Sequence, residues 1–61
     1  MTLQSALRAW SASKTLFSAA DLVAAAKNAW VGNTISDAKF REILAKVGLW
    51  ANMEAAKVDG P

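Results

Sequence analysis

Residues 17–48 read FSAADLVAAAKNAWVGNTISDAKFREILAKVG, and this stretch decides the fold. It holds two helix starts and one break. At the first start, Ser18 can accept a hydrogen bond from the backbone N–H of Asp21 while the Asp21 carboxylate reaches back to Ser18. Phe17 before the cap can pack on Leu22 as a hydrophobic staple. The pattern predicts a helix over 19–30, with Leu22, Val23, Ala26, Ala29 and Trp30 inward. Ala20, Ala24 and Ala25 leave its neighbouring faces thin, so another backbone can come close. Val31-Gly32-Asn33-Thr34 is the break, since Gly and Asn both tolerate positive φ. The second start repeats the logic. Ser36 caps, Ile35 staples to Phe40, and Asp37 complements the helix dipole. A helix over 37–47 then buries Phe40, Ile43, Leu44 and Val47. Gly48 suits the left-handed position past a helix end, with Leu49 folding back onto Leu44.

Working outward, Thr2 caps a helix over 3–13 that turns Leu3, Ala6, Leu7 and Trp10 inward. Downstream, Asn52 caps a short helix over 52–58 with Met53, Ala56 and Val58 inward, and Asp59-Gly60-Pro61 ends it and frays. The expected fold is all-α, a small orthogonal bundle or helix-loop-helix in one domain spanning 1–61. Trp10, Trp30 and Trp50 are evenly spaced, but their flanks do not match, so no repeat is read from them.

Composition narrows the chemistry. The chain has 61 residues, 54% of them hydrophobic and 20% charged, a net charge of +2, and no Cys or His. Nucleophilic catalysis therefore lacks a thiol and an imidazole base. Asp21, Asp37, Glu42, Glu54 and Asp59 are scattered, and two of them stand at helix starts. With 3 glycines, at 32, 48 and 60, there is no phosphate-cradling loop. No enzyme, metal site or cofactor is expected. No apolar run approaches the roughly 18 residues of a membrane span, and a cytoplasmic location is expected. Residues 1–20 carry Arg8 and Lys14, several Ser and no acid, a pattern that also fits an organellar presequence or a membrane-surface helix.

The sequence pI of about 9.4 keeps nucleic acid in view. A capped helix pair around a Gly-Asn turn is compatible with a basic helix-turn-helix DNA-binding protein, with Lys39, Arg41 and Lys46 on the reading helix. Two features argue against it. Asp37 and Arg41 are i,i+4 partners, as are Glu42 and Lys46, whereas phosphate-neutralising bases are usually unpaired. The turn is also longer than the tight version of that motif.

The segment from Asn28 through Trp30, Gly32, Asn33, Ile35, Ser36 and Lys39 to Phe40, continuing to Ile43, Leu44, Val47 and Gly48, resembles the loop and exiting helix of an EF-hand. Ile35 falls at the central loop aliphatic, and Phe40, Ile43, Leu44 and Val47 match the exiting helix. From Leu16 to Val58 the pattern is similar to the calcium-free first hand of parvalbumins. The ligand positions depart from the family. Asn28, Trp30, Gly32 and Lys39 stand at the first, third, fifth and bidentate positions, and Asn33 replaces the usual Gly. Calcium takes about six to eight oxygens, so the resemblance implies a non-calcium hand. Such a hand has two helices splayed around a loop, and its apolar face covers hydrophobic surface on a neighbour.

A chain this short is marginal without a disulfide, a metal or a partner. Three Trp is rich for its length, and Trp is favoured at interfaces. The expectation is a small helical protein-interaction module or a subunit of a larger assembly. It would dock on another protein or on itself through Trp50, Leu49, Met53, Trp30 and Trp10, with Trp50 as the anchor.

Overall fold

The computed structural model describes residues 2–59, with side chains through residue 57. The chain is all-α. Helix α1 spans Leu3–Ala12, α2 Leu16–Val31 and α3 Asp37–Asp59, with no strand among the described residues. The first helix starts as expected, because the Thr2 hydroxyl accepts from the Ser5 N–H at 3.1 Å.

Helix α2 starts earlier than the Ser18 cap implied. Its cap is Thr15, whose hydroxyl accepts from the Ser18 N–H at 3.0 Å while Ser18 Oγ accepts from the Thr15 N–H at 2.9 Å. Ser18 thus reciprocates within the first turn and is not itself the cap. Two overlapping hydroxyl-x-x-polar boxes compete here. The earlier one adds a turn of backbone hydrogen bonds, and Ser18 Oγ also lies 2.8 Å from the Ser13 carbonyl, tying down the connection to α1. The staple is lost with the shift: Phe17 sits inside the first turn and is 86% exposed.

The reversal at residues 32–36 uses Asn33, at φ 60°, as its left-handed residue, and Gly32 has φ −81°. The Thr34 N–H donates to the Ala29 carbonyl at 2.8 Å and the Gly32 N–H to Asn28 at 3.0 Å. Helix α3 starts where the pattern placed it, with Ser36 Oγ accepting from the Lys39 N–H at 3.1 Å. The α2–loop–α3 unit is a helix-loop-helix.

Helix α3 does not stop at Gly48. The expected helices 37–47 and 52–58 are one continuous helix, and no described Gly has positive φ. Leu49 therefore projects outward and does not fold back onto Leu44, and Asn52 is a mid-helix residue. Met53 and Ala56, expected inward, are exposed. The side chain of Val58, and Gly60 and Pro61, lie outside the described residues. Continuing the helix through Gly48 costs little. A helical Gly costs about 1 kcal/mol relative to Ala, and strong helix formers flank it: Leu49, Ala51, Met53, Glu54, Ala55 and Ala56. A Cβ at Gly48 would meet no atom within 4 Å. Gly48→Ala should therefore raise stability by about 1 kcal/mol, read from urea unfolding followed by helical circular dichroism. A left-handed stop at Gly48 would give a loss instead.

Helix α2 lies in the middle, and α1 and α3 both pack on it. Trp30 near its end stacks on Phe40 near the start of α3, while Leu16 at its beginning faces Trp50, so α2 and α3 run antiparallel. The core is Ala6, Trp10, Ala19, Leu22, Ala25, Ala26 and Ile43, with Leu3, Leu7, Ile35, Phe40, Val47 and Trp50 around it. The alanines let the helices approach closely, and Leu22 fills the space between them. Trp10 and Trp50 meet edge-to-face, centroids 6.4 Å apart, and join α1 to α3. The result is a slab with extents of 44 × 20 × 13 Å. It exposes 4451 Å², whereas mass scaling gives about 3800 Å² for a compact monomer of this size.

Candidate functional site

The residues expected to meet a partner do not form one patch. Trp10 is a core residue, only 8% exposed, so the reading of it as a docking contact gives way to a structural role. Its indole Nε1 is buried without a hydrogen-bond partner, and Lys14 Nζ lies 4.9 Å from the ring centroid in a cation–π contact. Trp30, 39% exposed, stacks within the chain on Phe40, centroids 4.6 Å apart and planes 5° from parallel. Phe40 and Trp50 are ten residues apart on α3, about 15 Å along its axis, so Trp30 stands well away from Trp50.

Trp50 is half-buried, its edge-to-face contact with Trp10 holding it in place. Beside it runs a cleft of about 540 Å³ between the start of α2 and the C-terminal half of α3. Leu16, Trp50, Ala51 and Ala55 form its apolar lining, and Lys14, Thr15 and Glu54 complete it. Leu49 and Met53, 65% and 56% exposed, are one helical turn apart and lie round α3 from the cleft. The structure therefore brings Trp50, Leu49 and Met53 onto one half of α3, with Trp50 on the cleft side and the other two on the outer flank.

Leu16 and Phe17 were missed as surface groups, because their exposure follows from the Thr15 cap. Thr15-x-x-Ser18 is the sequence signal that could have found them. Val31, which the sequence pattern places only in the break, is also exposed.

The bases of α3 are occupied. Arg41 meets Asp37 at 3.1 Å, Lys46 meets Glu42 at 3.6 Å, and Lys39 meets the same Glu42 at 3.8 Å. Lys57 meets Glu54 at 3.3 Å beside the cleft. These pairs are solvent-exposed, worth about 0–1 kcal/mol each. No helix among the described residues is long and apolar enough to cross a membrane. No family model, curated protein or solved structure matches the chain.

Proposed function

We propose that this chain is a small, non-catalytic helical interaction module, a subunit or adaptor that docks on another macromolecule through the C-terminal half of α3. The observation that carries this reading is the surplus surface: the 4451 Å² exposed exceeds that of a compact chain of the same mass by about 600 Å². A standard protein interface takes about 800 Å² from each partner, so covering one face would bring the chain close to a normal surface economy. Leu16, Leu49 and Met53 are exposed apolar side chains on or beside this half of the helix. Trp50 supplies the anchor. Its contact with Trp10 fixes the indole before binding, which lowers the ordering cost of docking. The helix-turn-helix alternative has less support, because Lys39, Arg41 and Lys46 each face an acid on their own helix.

Gel filtration of a fresh extract from the native source, with the chain detected by antibody, tests the proposal. The wild-type chain should elute in a complex well above its own 6.5 kDa. Replacing Leu49 and Met53 by Glu together should shift it to the free position with helical content unchanged, since both side chains are exposed. A wild-type chain eluting at its own mass would overturn the reading.

A further inference from the structure

The face of α2 opposite the core carries a second apolar surface. Leu22, Ala25 and Ala26 point into the core, while Phe17, Ala20, Ala24, Lys27 and Val31 are all exposed. Phe17, Ala24 and Val31 are spaced by seven residues, so at 3.6 residues per turn they fall within about 20° of one line. Phe17 is 86% and Val31 66% exposed, and the residues midway between them are small.

We propose that a second copy of this chain occupies this face, as an antiparallel α2–α2 pair whose two-fold axis passes beside Ala24. Three observations point to a copy and not to an unrelated helix. The first is the palindromic spacing of bulk. Phe17 and Val31 are equidistant from Ala24, so an antiparallel copy sets each Phe17 beside the partner's Val31 and each Ala24 beside its equivalent. Small residues at the centre let the helix axes approach to about 8 Å.

The second is polar complementarity on the flanks. In an antiparallel two-fold pair, each flank meets the same flank of the other copy, reversed. On one flank Asp21 comes level with the partner's Asn28, whose amide N–H can donate to the carboxylate. On the other, the methylene stem of Lys27 lies over the partner's Ala20. The two copies of Asp21, like the two of Lys27, are offset by about 9 Å along the axis, so no like charges collide. Asp21 and Lys27 take no part in the four ion pairs found among the described residues, all of which lie within α3.

The third is area. A specific interface needs about 600 Å² from each partner at its low end, under one-seventh of the 4451 Å² exposed, so the area asked of this face is small. An interface at that lower bound gives a weak dimer. The inference uses a different helix from the proposed function, and the two fail separately.

Sedimentation equilibrium of the purified full chain, from low micromolar to near-millimolar concentration, is the test. The wild type should shift from monomer to dimer, with no larger species. Ala24→Glu places two carboxylates against each other at the two-fold and should hold the chain monomeric throughout. The double Leu49→Glu, Met53→Glu variant should dimerise like wild type. Because the natural chain has no Cys, single cysteines report the geometry whatever happens to the folding of Ala24→Glu. Ala24→Cys should form a disulfide-linked dimer rapidly on mild oxidation, and Phe17→Cys should not. A wild type that stays monomeric at every concentration overturns the proposal. So does a dimer indifferent to Ala24→Glu, or rapid linkage through Phe17→Cys, which would mark a parallel pair. If self-association fails while the native complex still depends on Leu49 and Met53, only the self-pairing falls.

Discussion

Replacing Leu22 by alanine should remove about 4 kcal/mol of folding stability, a large share of all that a chain of this length has. Leu22 is 1% exposed and is the largest fully buried side chain among the described residues. Truncating a buried Leu costs about 2.7–5.0 kcal/mol, and the cost grows with the cavity that remains. The buried cluster that holds Leu22 is otherwise Trp10, Ile43 and four alanines, Ala6, Ala19, Ala25 and Ala26, which have no side chain to swing into a cavity. The loss should therefore be about 4 kcal/mol. A chain of this length has a total stability of only about 3–9 kcal/mol. Urea titration followed by helical circular dichroism checks this. Leu22→Met conserves volume and should cost under about 1.5 kcal/mol. A Leu22→Ala chain that lost less than about 1 kcal/mol would show that α2 does not organise the core.

Trp10→Ala should be nearly as damaging, at about 3–5 kcal/mol. Trp10 joins α1 to α3 through its edge-to-face contact with Trp50, and such pairs contribute about 0.5–1.5 kcal/mol beyond area burial. Losing it should free Trp50, which would then show red-shifted emission and greater access to quencher. Trp10→Phe should recover most of the stability. It keeps an aromatic group in the core and removes the indole N–H that is buried without a partner, a group whose desolvation costs about 1–3 kcal/mol. If Trp10→Phe were as damaging as Trp10→Ala, the indole itself would be making an interaction beyond packing.

The features legible in the sequence were those settled by neighbours within one turn. The caps at Thr2 and Ser36 and the Asn33 reversal belong to this group. So do the Asp37–Arg41 and Glu42–Lys46 pairs, which follow from i,i+4 spacing and form at 3.1 and 3.6 Å. The start of α2 was misplaced because Thr15 and Ser18 both begin a plausible box, and a hydrogen bond back to Ser13 favours the first. Gly48 is ambiguous in the sequence because a glycine flanked by helix formers either ends a helix or rides inside one. Local pattern does not choose between these, and the packing of Trp50 on Trp10 further along α3 does. The candidate site suffered from the same gap. Even spacing of the tryptophans says nothing about which is covered. That depends on α2 having two neighbours, which draw Trp10 into the core, leave Trp30 beside Phe40 and set Trp50 at the edge of a cleft.

The account rests on the chain, when alone, failing to cover its own apolar bulk. Acrylamide quenching of tryptophan fluorescence in a dilute, isolated sample tests this most directly. The expected result is heterogeneous quenching, with one indole shielded at Trp10 and two accessible at Trp30 and Trp50. Three indoles equally sealed from the quencher would contradict it, because a chain that shelters all of them leaves no exposed aromatic anchor for a partner.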